Sequence, residues 1–238
     1  MTTTNTLNRF GGALGAVIEG VDVNSASEHD VDFVRQALLD HHVVVIPNQD
    51  LDQAGQETFM ARFGPLHFHP FLELMGVDPV YSQKINQTMD SMAGVDHWHT
   101  DLVFAPEPVA FGSLYCRTAP AYGGGTEFAN LHLAYEQLDG RWQTMVESID
   151  CQYQLSPHML DNFAVLAMSK PEGDAVLQML TAHCTRPNIT ARWQWSDRDL
   201  LIWDERCTLH YGVRDGYPSE RNMIRVLVNG DRPFFDGR

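Results

Sequence analysis

Positive charge is scarce in this sequence, in which 16 Lys and Arg residues stand against 31 Asp and Glu residues and give a formal net charge of −15. Proteins that bind nucleic acid present a basic surface to the phosphates, so nucleic acid is not expected as a partner. A small anionic substrate is still compatible with this composition, because such a ligand responds to local charges and not to the total charge.

Cysteines are also few, and they are far apart. The four residues Cys116, Cys151, Cys184 and Cys207 form no Cys-x-x-Cys pair and no disulfide framework, which favours a reducing, cytoplasmic setting. The sequence has no basic N-terminal stretch that leads into an apolar run, and no apolar run of about 18 residues, so neither a secretion signal nor a membrane span is expected. A homo-oligomer is compatible with the sequence, which carries no signal for the oligomeric state.

The length and the order of the predicted elements indicate one mainly β domain. The 238 residues suit a single domain over residues 1–238. Apolar runs such as Val43–Ile46 and Leu200–Trp203 predict buried strands, and Ser27 and Ser169 stand where capping boxes would begin helices. Strands and helices do not alternate as βαβ units require. We therefore predict a mainly β (α+β) fold with flanking helices around a jelly-roll core, also called a double-stranded β-helix.

The stretch Trp98-His99-Thr100-Asp101 is the first candidate for chemistry. In an extended strand, residues two apart project from the same face, so an imidazole and a carboxylate would point into one space. They would supply two of the three ligands of the 2-His-1-carboxylate set that holds Fe(II) in non-haem oxygenases. A lone His-x-Asp is weak evidence in a chain with 11 His. His210 could be the third ligand, and the alternative is a core histidine satisfied by hydrogen bonds.

Two arginines, Arg221 and Arg225, share one face of a predicted strand near the end of the chain. Placing them on an otherwise apolar strand is unfavourable unless they meet anions or water. An arginine binds a carboxylate through a planar, bidentate fork. The alternatives are a solvated edge face or, for Arg225, an internal pair with one of the many acidic residues.

Together these motifs resemble the taurine dioxygenase-like (TauD/TfdA) family of Fe(II)/2-oxoglutarate-dependent dioxygenases, over nearly the whole chain. The matching segments, in order, are Leu14-Gly15-Ala16, His41-His42-Val43-Val44-Val45, Phe63-Gly64-Pro65-Leu66-His67-Phe68-His69-Pro70, Trp98-His99-Thr100-Asp101, Gly123-Gly124-Gly125-Thr126, Trp193-x-Trp195, Trp203-Asp204-x-Arg206, His210-Tyr211, and Arg221 with Arg225. The chain departs from the family between Ile149 and Ser169, where family members usually carry a longer segment.

The resemblance implies a role for each residue of the metal and cosubstrate sites. His99, Asp101 and His210 would be the catalytic, iron-binding residues. Arg221 would pair with the distal carboxylate of 2-oxoglutarate, helped by the hydroxyl group of Thr126.

The same resemblance implies a substrate pocket beside the metal. Arg225 would reach the acidic group of the substrate, and His69 would line the same pocket. His97, with Trp98, would contribute to its wall.

The activity that the resemblance implies uses Fe(II), 2-oxoglutarate and O2. It would oxidise an unactivated C–H bond of a small anionic substrate, such as a carboxylate, an amino acid or a sulfonate, and release succinate and CO2. The outcome would be hydroxylation or a derived reaction such as desaturation. Two alternatives are a non-catalytic jelly-roll protein that binds small molecules and a zinc hydrolase that uses the same ligands, although the latter gives Arg221 no role.

Overall fold

The structure is a computed structural model. It describes residues 4–68, 81–87, 97–155, 161–166, 168–215 and 220–234, and at 153–155 and 161–164 it describes the backbone alone.

Strands dominate the described residues. They are β1 (Thr6–Arg9), β2 (Ala16–Glu19), β3 (Val43–Ile46), β4 (Ser82–Gln87), β5 (Val109–Thr118), β6 (Thr126–Asn130), β7 (Cys151–Leu155), β8 (Asp161–Val165), β9 (Thr190–Trp193), β10 (Leu200–Asp204), β11 (Thr208–Gly212) and β12 (Arg221–Asn229). Seven strands form one sheet in the order β1-β2-β3-β10-β5-β12-β4, three form a second in the order β11-β6-β9, and β7 pairs with β8. The predicted mainly β fold is confirmed.

The core fills both faces of the seven-stranded sheet, and strand β3 shows how. Val44 and Ile46 belong to the apolar cluster that packs against the helices at the front of the chain. Val43 and Val45 point the other way, into the cluster that includes Phe128 of the three-stranded sheet. Because alternate residues of a strand face opposite sides, a strand covered on both faces reads as a continuous apolar run.

Five α-helices flank the sheets within the residues that the structure describes. They are α1 (Glu28–His41), α2 (Gln53–Met60), α3 (Leu131–Glu136), α4 (Gly140–Ser148) and α5 (Lys170–Cys184), and a short 3-10 helix covers Val23–Ser25. The two predicted capping boxes are present, with Ser27 before α1 and Ser169 before α5. None of the helices within the described ranges is long and apolar enough to cross a membrane.

The segment between Ile149 and Ser169 carries a feature that the sequence did not predict. Strands β7 and β8 pair antiparallel there, with Cys151 opposite Val165 and Leu155 opposite Asp161. This small hairpin precedes α5, and Gly173 of that helix packs against Val165.

Candidate metal centre

Three metal-ligating side chains converge at one point between the two main sheets. One ligand atom from each of His99, Asp101 and His210 lies within 4.8 Å of the other two. Nε2 of His99 is 3.8 Å from Oδ1 of Asp101, and the ring centroids of His99 and His210 are 4.1 Å apart. Across the residues that the structure describes, no other group of His, Cys, Asp and Glu meets the same condition.

The backbone brings the two histidines together directly. The backbone N–H of His99 donates to the carbonyl oxygen of His210 at 3.1 Å, and that of His210 donates back at 2.8 Å. His210 lies within β11, opposite Phe128 of β6. Since residues of a strand alternate between faces, this register fixes the side of the sheet on which the imidazole lies.

The geometry at Asp101 corrects one detail of the sequence analysis. His99 forms only an isolated bridge with His210, and a turn begins at Asp101, with Leu102 in the left-handed region at a φ of 52°. The prediction that one continuous strand carries both ligands is therefore wrong. The two side chains still meet, because the hydroxyl of Thr100 donates to the carbonyl oxygen of Thr208 at 2.9 Å and fastens the turn to β11.

The ionisation states suit metal binding. Nδ1 of His99 lies 2.8 Å from the carbonyl oxygen of His97; because a carbonyl only accepts, Nδ1 carries the proton and the lone pair is on Nε2. Burial, with the nearby His99, lowers the pKa of His210 well below its ordinary value. Burial alone would raise the pKa of Asp101, but Arg225 and then the neighbouring histidines hold it below its ordinary value. Two imidazoles and one carboxylate fit the ligand set of a non-haem Fe(II) centre.

The three ligands open onto a cavity that also receives both predicted arginines. The cavity is lined by Ile85, Gln87, His99, Asp101, Leu114, Thr126, Trp203, His210, Gly212, Arg221, Met223 and Arg225. Both main sheets contribute to this wall, and the shared face predicted for Arg221 and Arg225 is the one that lines the cavity.

Arg221 is fixed in the wall and is only 3% exposed. Its Nε donates to Oε1 of Gln87 at 3.0 Å, Nη2 donates to the same oxygen, and Nη1 donates to the carbonyl oxygen of Gly124 at 2.5 Å. Gly124 has a positive φ of 63°, which glycine adopts without steric cost. The guanidinium group is therefore oriented before any ligand arrives.

Thr126 lies on the same wall and is also buried, with 3% of its surface exposed. Nε1 of Trp195 donates to its hydroxyl oxygen at 3.0 Å. Because that oxygen accepts from the indole, the hydroxyl hydrogen can be directed to another acceptor.

Arg225 has partners within the protein. Nη1 donates to Oδ2 of Asp101 at 2.9 Å, and Nη2 donates to Oε1 of Gln83 at 2.7 Å. The internal pair with an acidic residue, one of the two alternatives for Arg225, is therefore present. The pair does not test whether Arg225 also binds the substrate, and that role stays a prediction.

The remaining predicted site residues differ in their position. The ring of His97 stacks on that of His99 with centroids 4.8 Å apart, and His97 is not part of the cavity wall. Trp98 packs against Tyr211. His69 lies outside the described residues.

Sequence reasoning missed Glu205. It is 1% exposed, and its Oε2 accepts the backbone N–H of Asp101 at 3.2 Å and lies 3.8 Å from Nδ1 of His210. Burial, followed by the charge of Asp101, raises the pKa of Glu205 well above its ordinary value. The available signal was its place between Trp203-Asp204 and Arg206, directly after an apolar run that predicts a buried strand.

Comparisons with known proteins agree with this geometry. An alkylsulfatase from Acinetobacter baylyi is 26% identical over 94% of this chain and 85% of its own length. An alpha-ketoglutarate-dependent sulfate ester dioxygenase from Pseudomonas putida is 27% identical over 93% of this chain and 88% of its own length. The crystal structure of a taurine dioxygenase from Burkholderia xenovorans superposes with a TM-score of 0.82 at 25% identity, covering 95% of this chain and 91% of that one.

These similarities confirm the predicted jelly-roll type of fold and the predicted class of enzyme, an oxidoreductase that depends on 2-oxoglutarate (α-ketoglutarate). They favour neither the zinc-hydrolase nor the binding-protein alternative. The sequence model described as "Taurine catabolism dioxygenase TauD, TfdA family" matches residues 6–160 and 150–227. Since these ranges cover most of the chain, the protein belongs to the TauD/TfdA family.

Proposed function

We propose that this protein is an Fe(II)- and 2-oxoglutarate-dependent dioxygenase of small organic anions, in which His99, Asp101 and His210 bind the iron. The observation that carries the proposal is the convergence of two imidazoles and one carboxylate on a cavity that two arginines also line. Bound Fe(II) would supply the oxidative chemistry, in which O2 and 2-oxoglutarate are consumed, a C–H bond of the substrate is oxidised, and succinate and CO2 are released.

Arg221 and Thr126 are the residues we assign to 2-oxoglutarate. Arg221 is buried and already oriented by Gln87 and Gly124, so it loses little freedom when a carboxylate arrives. An arginine at a cavity wall binds a carboxylate with charge-assisted hydrogen bonds, which are about twice as strong as neutral ones. The Thr126 hydroxyl, which accepts from Trp195, would donate its hydrogen to the same carboxylate.

Arg225 is the residue we assign to the anionic group of the prime substrate. Its ionic partner in the structure is Asp101, and a cation on Asp101 would weaken that pair by neutralising part of the carboxylate charge. The guanidinium group would then be available to an anion in the cavity. The names of the relatives include a sulfate ester, taurine and a phenoxy carboxylate. The proposal therefore keeps sulfate esters, sulfonates, carboxylates and amino acids as the anion, and it keeps substrate contacts by His69 and His97.

The setting we propose follows from the same chemistry. A small-molecule oxygenase needs neither nucleic acid nor a membrane as a partner, and the free cysteines in the described residues suit the cytoplasm. A homo-oligomer is compatible with this proposal.

An anaerobic titration tests the proposal without knowledge of the substrate. Addition of Fe(II) and then 2-oxoglutarate to the metal-free protein should produce the weak visible charge-transfer band of the chelate. His210→Ala should not produce it. Absence of the band in the wild-type protein would contradict the proposal, and so would Zn(II)-supported hydrolysis that needs no 2-oxoglutarate.

The substrate class is tested by succinate release in air. Alkyl sulfates, alkyl sulfonates, carboxylates and amino acids would be compared with alcohols of the same chain length as uncharged controls. Release of succinate should rise with anions and not with the alcohols.

A further inference from the structure

The two histidines of the metal centre differ in what holds them. Nδ1 of His99 has a fixed acceptor, the carbonyl oxygen of His97 at 2.8 Å. Nδ1 of His210 is buried and has no hydrogen-bond partner among the described residues. A histidine that binds a metal through Nε2 keeps a proton on Nδ1 and normally donates it to a carboxylate, a carbonyl group or water. The structure therefore leaves one expected hydrogen bond of the centre unmade.

Glu205 is the side chain placed to accept that hydrogen bond. Its Oε2 is 3.8 Å from Nδ1 of His210 and 3.2 Å from the backbone nitrogen of Asp101. Its Oε1 is also buried and makes no hydrogen bond of ordinary length in the described part of the chain, although the side chain of Trp203 is close enough to act on the carboxyl group as a donor. Oε2 of Glu205 and Nδ1 of His210 are thus buried near each other, and their separation of 3.8 Å is slightly too long for a hydrogen bond of about 3 Å. A shift of less than about 1 Å would join them.

The backbone around Glu205 is fixed. Its N–H donates to the carbonyl oxygen of Ala110 at 2.9 Å, and the N–H of Asp204 donates to that of His42 at 2.9 Å. Asp204 also forms an ion pair with Arg206 at 2.6 Å. Glu205 therefore directly follows β10 on a backbone that hydrogen bonds hold in place, and its carboxyl group lies beside the metal centre. A residue that orients metal ligands needs such a rigid support.

We propose that Glu205 is a positioning residue, whose carboxyl group accepts the Nδ1–H of His210 and the backbone N–H of Asp101 and so orients two of the three metal ligands. Glu205 is not itself in the metal-ligating cluster, so it acts through its neighbours. This inference rests on the proposed function, because it needs a metal at the cluster. A purely structural role for a buried carboxyl group is the alternative.

Metal affinity separates the two roles without any substrate. The metal-free protein would be titrated with Co(II), followed by its visible absorption, for the wild type, Glu205→Gln and Glu205→Met. The Gln side chain keeps a carbonyl oxygen at the same distance from the backbone, whereas Met has a similar length and no strong acceptor. We expect Glu205→Met to weaken Co(II) binding by about 10–100-fold, the usual effect of losing an outer-shell partner. We expect Glu205→Gln to keep most of the wild-type affinity.

Asp199 offers a matched control. It is also a buried carboxyl group, 2% exposed, and it accepts hydrogen bonds from Nε1 of Trp193 at 3.0 Å and from the backbone nitrogen of Ser196 at 2.8 Å. It does not line the cavity. Asp199→Asn should therefore leave Co(II) affinity unchanged, even if it lowers thermal stability as much as a substitution at Glu205 does.

The outcomes distinguish this inference from the proposed function. A wild-type protein that binds no Co(II) contradicts the metal site itself. A wild-type protein that binds Co(II), together with a folded Glu205→Met variant of equal affinity, overturns only the role of Glu205.

If the Met variant does not fold, NMR on protein with ¹⁵N-labelled histidine replaces it. The Nδ1–H resonance of His210 in the Zn(II)-loaded wild type, assigned by its loss in His210→Ala, should shift in Glu205→Gln. An unchanged resonance overturns the inference.

Discussion

Nη1 of Arg225 lies 2.9 Å from Oδ2 of Asp101, so the guanidinium group assigned to the substrate touches a carboxylate assigned to the metal. Arg225 is also the largest influence that lowers the pKa of Asp101 against the effect of burial. A single contact therefore connects the two proposed sites. A cation on Asp101 would compete with Arg225 for the carboxylate, and an anion on Arg225 would compete with Asp101 for the guanidinium group. Binding of either ligand would therefore strengthen binding of the other.

Substitution of Arg225 should separate its two roles. We expect Arg225→Ala to weaken binding of the anionic prime substrate by roughly 2–5 kcal/mol, which is typical of losing one partner of a buried, hydrogen-bonded charge pair. The concentration of 2-oxoglutarate that the enzyme requires should stay nearly unchanged. The measurement is succinate release as a function of each compound. Arg225→Lys should rescue only in part, because a point charge does not replace the bidentate fork.

The opposite pattern would assign Arg225 to Asp101 alone. If the substrate requirement of Arg225→Ala equals that of the wild type while Co(II) affinity changes, the arginine serves the metal ligand and not the substrate.

Removal of the Asp101 carboxylate should abolish metal binding and turnover together. Asp101→Ala takes away the only anionic ligand of the cluster, so the affinity for Co(II) should fall by more than the roughly 10–100-fold caused by loss of an outer-shell partner. Succinate release should fall to background. Asp101→Asn keeps the shape without the charge and should fail similarly, and near-normal activity in either variant would contradict the assignment of the triad.

Much of the fold could be predicted because its signals are local. The continuous apolar runs of β3 and β10 correspond to strands buried on both faces, and the capping residues Ser27 and Ser169 mark the starts of two helices. Propensity, spacing and capping are properties of neighbouring residues, so the sequence contains them. The pairing of β7 with β8 depends on packing, and no pattern in that segment indicated it.

The site could be predicted where a short sequence motif marks its residues. The His-x-Asp motif and the two arginines could be named as candidates from residue type and spacing, and the resemblance to the family implied their roles. Two relationships could not be predicted. The turn at Asp101 depends on the contact of Thr100 with Thr208, and the role of Glu205 depends on the approach of Asp101 and His210, which lie far from each other in the sequence.

Acid stability should depend on Asp30 at the start of α1. Hydrogen bonds from Asn5 and Ser27 lower the pKa of Asp30 from 3.8 to about 2. Because the folded state holds this proton less tightly than the unfolded state, the stabilisation is complete above pH 3.8 and is lost as the pH falls towards about 2. We expect Asp30→Asn to lower the free energy of unfolding by about 1 kcal/mol near neutral pH, the usual value for a helix cap, since solvent screens a larger effect at this partly exposed site.

Urea unfolding at a series of pH values would measure this effect. The difference between Asp30→Asn and the wild type should shrink as the solution is acidified towards pH 2. Asp32→Asn, at an exposed position of the same helix, is the control for replacing a carboxylate by an amide. A difference that stays constant with pH would assign the effect to helix propensity instead of the ionised hydrogen bonds.

Arg221 and Thr126 should determine the requirement for 2-oxoglutarate. Arg221→Ala leaves a dianionic ligand without its guanidinium partner at a buried wall, which should raise the apparent requirement by a factor that corresponds to roughly 2–5 kcal/mol. The requirement for the prime substrate should change far less, because the group assigned to it is Arg225. Thr126→Val removes one hydroxyl that now accepts from Trp195, so it should show a milder form of the same effect. Succinate release measured against each compound in turn checks both variants, and equal shifts in the two requirements would show that Arg221 does not bind 2-oxoglutarate.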